Sequence, residues 1–453
     1  MRTDIFPSIF LVAAAILFPA GPELYAQTAT SLSLENAKNL ALQNNHLLNV
    51  RKLQVEEKRY KVSEDKVKYL PAIIAGGSYQ YNSDLPSLTI EQGRFGVLPL
   101  GAILIPLPAK DEVIEMGNHN NYQAGVTLYQ PITQIGRINA GVNVSKTEYG
   151  IAQNEEAKAE NQIRQAVEKL YFGLLVIQKQ IEEAELKVTL AKMKLADVVS
   201  AVSAGKTTES NSYGLSAAEA DEEQNLLKLK IQYEDYAADL KQLTGLAPGS
   251  SITLEPVNAE SLIENIPAID TALNDAVAGN SDLKIASLYK TKADNAIRAS
   301  KFSYLPDIGL LGGYTYQNGS VIYPKNNAFV GASLKWNLQD ALSNRTVQLQ
   351  RISARKQAEE NFANTKEQVS KDIVKAYRKL KQSEELIRVA EKVVIYRRED
   401  LKIQNDRSSS GLNLVADVLG AKAAMAKAES DYYAAQLNYR ITLSELKILE
   451  GTY

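Results

Sequence analysis

YLPAIIAGGSYQY (residues 69–81) and YLPDIGLLGGYTY (residues 304–316) are two versions of one passage, 235 residues apart. In both, a helix-like stretch ends at Tyr-Leu-Pro, with Pro71 and Pro306 marking the turn into an extended segment. A glycine and two alternate tyrosines then repeat, as Gly77, Tyr79 and Tyr81 and as Gly312, Tyr314 and Tyr316. Past a loop that is longer in the first copy, the spacing falls to 206 and holds to the end of the chain. Gly125 matches Gly331, Leu128 matches Leu334, Tyr171 matches Tyr377, Gly205 matches Gly411, Leu240 matches Leu446 and Gly245 matches Gly451. A repeated unit of roughly 200 residues is too long for a solenoid. It reads as two equivalent halves: a first repeat over residues 27–245, a linker over 246–268 and a second repeat over 269–453.

Composition narrows the class. Residues 1–26 carry Arg2, an apolar run from Ile9 to Phe18 and Leu-Tyr-Ala before Gln27, the pattern of a secretory signal cleaved after Ala26. No other segment approaches the run of about eighteen apolar residues that a membrane helix needs. With no cysteine, the chain has no disulfide and no thiolate metal site. A net charge of −2 gives no sign of a nucleic-acid partner. Tyr outnumbers Phe by 23 to 8, and such amphipathic rings suit an interface or a water-lined surface.

All fourteen prolines lie outside residues 132–247 and 325–453, two windows rich in helix formers. Leu174, Ile177, Ile181, Ala184, Val188, Ala191, Leu195, Val198 and Val202 follow alternating steps of three and four. Leu414, Val418, Ala421, Met425, Ala428, Tyr432, Ala435, Tyr439, Thr442, Leu446 and Leu449 do the same, which is a coiled-coil seam. At about 1.5 Å per residue, a helix over residues 139–203 is nearly 100 Å long. Gly205 and Gly411 fall between two such helices, where a glycine in the left-handed conformation lets the chain reverse. Each repeat therefore holds a long helical hairpin with that glycine at its tip, preceded by an opening helix over residues 34–68 or 269–303.

Between the opening helix and the hairpin, the apolar period changes to two. Tyr122, Ala124, Val126 and Leu128 alternate with Gln123, Gly125 and Thr127; Ala328, Val330, Ala332, Leu334 and Trp336 alternate with Gly331, Ser333, Lys335 and Asn337. This predicts strands over 72–82, 121–131, 307–317 and 327–337, of the length that crosses a bilayer at a tilt. Four strands cannot close a membrane barrel, and open edges do not occur in lipid. Two chains would give eight strands and a filled interior; three give twelve and an opening.

Two repeats of helix, strand pair and long hairpin behind an export signal, with strand-to-helix turns at Pro131 and Asn337, resemble the TolC-like outer-membrane efflux proteins. The resemblance covers essentially the whole mature chain. It is carried by Tyr-Leu-Pro at both strand entries, by Gly411 with Val415, Asp417, Val418 and Leu419, and by the closing Leu446 and Gly451. It implies a mainly α fold with a small β part, in which duplicated coiled-coil hairpins form a periplasmic tunnel. Four strands per chain would contribute to a twelve-stranded barrel in a homotrimer embedded in outer-membrane lipid. It further implies a periplasmic adaptor and an inner-membrane pump as partners, no cofactor and no catalysis, with the substrate chosen by the pump. In the family, acidic residues just past the second hairpin tip constrict the tunnel. By that motif Asp417 falls on the first constriction aspartate, Gly420 on the second, and Asn413 on an arginine that locks the tip. The chain thus departs from the pattern at Asn413 and Gly420. A helix-capping role for Asp417 at the positive end of its helix is the plainer alternative.

The remaining features point nowhere else. His46 and His119, the only histidines, lack ligand spacing and read as solvated surface residues rather than a metal site. No phosphate loop, nucleophile elbow or catalytic carboxylate pair is present in the sequence. A periplasmic coiled-coil adaptor or scaffold would share the long hairpins but would not need the strand pairs. The loop over residues 82–121 contains FGVLPL (95–100) and ILIPLP (103–108), too apolar to float free in water. It is expected to fold over a barrel mouth or to pack between protomers.

Overall fold

The computed structural model describes residues 30–256, 268–320, 323–410, 412 and 414–453. The signal expected over residues 1–26 and the tip residues Gly411 and Asn413 lie outside the described residues.

The first repeat contains helices α1 (Leu34–Asn44), α2 (His46–Val67), α3 (Ile135–Ser203) and α4 (Glu209–Thr244). The second contains α5 (Ile269–Gly279), α6 (Ser281–Phe302), α7 (Leu338–Ser409) and α8 (Val415–Glu450). Offsets of 235 and then 206 carry one set onto the other: α1 and α5 each hold 11 residues, α2 and α6 each 22, α4 and α8 each 36. The single opening helices expected over 34–68 and 269–303 are broken. Asn45 and Asn280 take extended backbone, and their side chains accept from Leu48 N–H and Leu283 N–H, capping a fresh helix. The apolar period runs through both breaks, which hides them from a reading of periodicity.

The long helices α3 and α7, of 69 and 72 residues, run the length of the molecule. Next to the strands α3 packs on α2 and α6; farther away it packs on α4 and α8. The seam read from the sequence is the packed face: Leu174, Ile177, Ala184 and Val188 of α3, and Ala421, Ala428, Ala435, Tyr439 and Leu446 of α8, are buried. Gly245 and Gly451 end α4 and α8 in the left-handed conformation, at φ 72° and 75°. Each closing helix end is tied to an opening helix, through Asn44 Nδ2 donating to Thr244 O at 3.0 Å and Asn280 Nδ2 donating to Leu449 O at 2.9 Å.

The midsection is where the repeats differ. Strands β1 (Thr30–Leu32) and β8 (Ile252–Leu254) form a parallel pair. The stretch expected as a linker, 246–268, thus carries β8. The Tyr171 hydroxyl lies 2.9 Å from Leu32 O and 2.7 Å from Glu255 O and donates to them; burial pushes it up to about 12. Beside it Glu168 is fully buried. Its carboxylate takes the Lys38 ammonium at 2.8 Å, the Arg440 guanidinium at 3.3 Å and the Ser444 hydroxyl. Burial pulls the Lys38 ammonium down, but the charge and hydrogen bond of Glu168 outweigh it and hold Lys38 above its ordinary value. In the second repeat Leu273 and Val374 stand at the positions of Lys38 and Glu168, so this cluster belongs to one copy only.

Strands β2 (Ala72–Tyr81), β7 (Asn120–Pro131), β9 (Asp307–Asn318) and β10 (Asn326–Lys335) form one antiparallel sheet in the order β10-β9-β7-β2. The expected strand bounds agree to within two residues. Strand β7 against β9 joins the two repeats, while β2 and β10 are the outer strands. The loop between β2 and β7 is a narrow double hairpin: β3 (Ser87–Ile90) pairs with β6 (Glu112–Glu115), and β4 (Val97–Leu100) with β5 (Ile103–Pro106). It projects beyond the sheet as an arm.

Candidate functional site

Ladder register assigns every strand residue to a face. One face carries Ile73 and Ala75 of β2, Ala124, Val126 and Leu128 of β7, Leu310 of β9, and Val330, Ala332 and Leu334 of β10. It is apolar over all four strands, and Val330 on it is 89% exposed. At the end away from the helices the same face turns aromatic, with Tyr79, Tyr122, Tyr314 and Tyr316. At the helix end Trp336 follows Leu334. Strands of 10–12 residues at about 3.4 Å per residue and a tilt of about 40° rise roughly 26–31 Å, the height of a bilayer's apolar band. The tyrosines therefore sit where an aromatic girdle would meet the interface. Two of them are latched across the ladder in matching places: Tyr79 Oη donates to Asn120 Oδ1 and Tyr314 Oη to Asn326 Oδ1, both at 2.8 Å.

The opposite face is mostly small and polar, with Gly76 and Ser78, Gln123, Gly125 and Thr127, Gly313, Thr315 and Gln317, Gly331 and Ser333, interrupted by Ile74, Leu311, Tyr129 and Phe329. Its charge is confined to the helix end. Asp307 and Lys335 are cross-strand partners at the last rung, and Arg137 in the first turn of α3 comes within 4.0 Å of Asp307. The sequence shows Lys335 on its strand but not its pairing with Asp307, nor Arg137 beside them, nor the tyrosine–asparagine latches, all of which depend on register.

The strand-entry prolines act through their neighbours. Pro131 is buried at the end of β7, opposite Gly309. Two residues on, Thr133 Oγ1 donates to Pro306 O and accepts from Ile308 N–H, each at 2.8 Å, locking the β7-to-α3 turn onto the entry of β9. Pro71 sits in the equivalent entry to β2, after Leu70 N–H donates to Val67 O at 2.9 Å. Asn337 caps α7 by accepting from Gln339 N–H at 3.2 Å.

At the far end the two hairpin tips share one backbone pattern. Gly205 has φ 71°, and Lys206 N–H reaches back to Ala201 O at 2.8 Å. In the second copy Leu412 N–H reaches Arg407 O at 2.9 Å across the same spacing. Asp417 is exposed on the first turn of α8, and its carboxylate accepts from Leu414 N–H at 3.2 Å. The capping role is therefore present in the geometry. Gly420 lies one turn on, with open space where a side chain would stand. In the first copy Asn211 replaces Asp417 and donates to Thr207 Oγ1 at 2.7 Å.

Among the described residues no group of three or more His, Cys, Asp or Glu side chains could hold a metal ion, and no helix is long and apolar enough to cross a membrane. His46 is exposed. His119 departs from the expected solvated residue: it stacks on Tyr81 at 6.0 Å, with Nδ1 2.8 Å from Asn82 O.

The family described as outer membrane efflux protein matches residues 38–246 and 272–452. No curated protein sequence matches the chain. Among solved structures, the Campylobacter jejuni CmeC outer membrane channel superposes with a TM-score of 0.70 at 15% identity, covering 98% of this chain and 94% of its own. A membrane protein from Pseudomonas aeruginosa gives 0.69 at 16%, covering 97% of each chain. The Vibrio cholerae outer membrane protein VceC gives 0.65 at 14%, covering 92% and 96%. A family match over both repeats, on a chain with an apolar four-stranded sheet at one end of long paired helices, leaves one assignment. The chain belongs to the outer membrane efflux protein family, with its strands in the outer membrane and its helical tunnel extending into the periplasm.

Proposed function

We propose that the protein is the passive exit duct of a tripartite efflux or type I secretion system. It acts as a homotrimer whose sheets close a twelve-stranded barrel in outer-membrane lipid. The observation that carries this reading is the sheet, with an apolar face continuous over four strands and two outer strands, β2 and β10, whose edges face away from it. Such edges are not tolerated in lipid. Pairing β10 with β2 of the next copy keeps the antiparallel alternation, and three copies leave an opening where two would be filled. A detergent-solubilised particle should contain three chains. A mass of one chain, or labels that find Val126 and Val330 facing water in membranes, would refute the barrel.

A periplasmic adaptor and an inner-membrane pump complete the path, and the adaptor docks at the tips around Gly205 and Gly411. Both hairpins reverse there, at the end farthest from the strands. Photocrosslinkers at Lys206 and Leu412 should capture a periplasmic partner in cells; failure at both positions would count against docking at the tips. Asp417 contributes one carboxylate per chain to a ring at the narrow end, which attracts cations. Asp417→Ala should weaken cation preference in planar bilayers and Asp417→Arg should lower cation conductance. The contact with Leu414 N–H is also what a helix cap alone would make, and selectivity unchanged in both variants would leave Asp417 as that cap.

A further inference from the structure

Charge in the sheet is as sparse as it is ordered. The four strands contain two charged residues, Asp307 and Lys335, and both lie on the small polar face at the rung next to the helices. From that rung to the far end of the sheet the same face carries uncharged residues only, chiefly Gly, Ser, Thr, Gln and Asn, with Ile74, Leu311 and the rings of Tyr129 and Phe329 among them. Arg137 adds a second cation, its guanidinium 4.0 Å from the Asp307 carboxylate. Arg137, Asp307 and Lys335 line one cavity of about 350 Å³ with Asn337 and Asn344. Each chain thus places two cations and one anion at the inner rim of the barrel wall.

We infer that Arg137, Lys335 and Asp307 form a basic collar where the helical tunnel opens into the barrel, selecting for solutes that bear carboxylate or phosphate groups. This rests on the trimeric duct proposed above. Three chains give six cations and three anions around one opening, a net excess of three positive charges on a wall otherwise free of fixed charge. Rings of Arg and Lys favour anions in the same way that rings of Asp favour cations. The field reaches about one Debye length, roughly 8 Å at physiological salt and about 3 Å at 1 M. The collar therefore acts on solutes near the wall and fades in concentrated salt. Arg137 and Lys335 facing lipid phosphate outside the barrel is the competing placement, and the ladder register disfavours it because Lys335 shares the face of Ser333 and Gly331 rather than that of Leu334 and Val330.

The chain has no cysteine, so single thiols report the local potential cleanly. Ser333→Cys places a thiol two residues up β10 on the face of Lys335, and Ser78→Cys places one on the same face near the far end of β2. In the purified trimer, an anionic sulfonatoethyl and a cationic trimethylammonioethyl methanethiosulfonate are compared for reaction rate at each position. At about 10 mM salt the anionic-to-cationic rate ratio at position 333 should exceed that at position 78 on the order of tenfold, and the difference should collapse at 1 M. Lys335→Gln, at an exposed position, should lower the ratio at 333, and Asp307→Asn should raise it. Equal ratios at the two positions, or a ratio at 333 indifferent to both substitutions, in a particle that is trimeric would overturn the collar alone. Protection of the thiol at 333 by lipid would place the charges outside the lumen and overturn it too. A monomeric particle would instead overturn the duct on which the collar depends.

Discussion

Glu168→Ala removes the most deeply buried carboxylate among the described residues. The substitution removes the anion shared by Lys38 and Arg440, whose side chains are only 13% and 16% exposed. Removing one member of such a buried cluster costs about 3–5 kcal/mol, because part-buried cations lose the carboxylate they share; Lys38 retains Glu35 at 3.2 Å, which places the loss toward the lower figure. For a chain of this length that is an apparent thermal midpoint lower by roughly 3–5 °C, followed by helical circular dichroism in detergent at a fixed scan rate. Glu168→Gln keeps an acceptor for the Ser444 hydroxyl and should fall between wild type and Glu168→Ala. The triple change Lys38→Met, Glu168→Leu and Arg440→Met should recover most of the loss, since well-packed apolar side chains replace a buried ion cluster at little cost. A triple variant as unstable as Glu168→Ala would show that the ion cluster itself, rather than the volume it fills, holds α1, α3 and α8 together. An unchanged Glu168→Ala would refute the argument at its root.

Other substitutions test other contacts. Gly279→Ala would push a Cβ into the Glu450 carbonyl oxygen and should abolish assembly of the second repeat, seen as loss of trimer from the outer membrane. Gly420→Ala meets nothing within 4 Å and should leave stability unchanged or raised by about 0.5–1 kcal/mol. Tyr171→Phe strips the donor shared by Leu32 O and Glu255 O and should cost about 1–2 kcal/mol, with faster amide exchange in β1 and β8. Hydrogen bonds from Lys68 and Ser145 hold Asp65 below its ordinary 3.8, and a hydrogen bond from Lys292 holds Glu148 below 4.5. Their contribution is therefore complete above about pH 4.5 and lost as pH falls through the lower folded values. Contacts of α2 and α6 with α3 should loosen below pH 4 and not between pH 5 and 8, as read by near-UV circular dichroism.

The repeat was legible because a duplicated chain writes its alignment into one constant offset. Helix type, hairpin reversal and strand position all came from changes of apolar period and from Gly205, Pro71 and Pro306. The breaks at Asn45 and Asn280 were not visible, because one Asn among many polar residues marks a helix start only when its side chain turns back on the backbone. Glu168 left a readable sign, a carboxylate on the stripe of Ile163, Val167 and Tyr171, yet its partners stand 130 and 272 residues away. Asp307 and Lys335 gained meaning only from register, which sets them opposite each other on an otherwise neutral face. At the tips the order is reversed: Asp417 was prominent in the sequence, and its contact in the chain is a local one with Leu414.

The unbroken course of α3 and α7 past the midsection makes each repeat a lever. Below the docking of α1 and α5, the 36 residues of α4 or α8 extend about 54 Å at 1.5 Å per residue. A tilt of one degree at the midsection then displaces the tip by about 1 Å, whereas the strands on the other arm are pinned in their ladder. Whatever aperture the tips enclose is governed by angles set at Glu168, Tyr171 and the two asparagine ties, far from the opening itself.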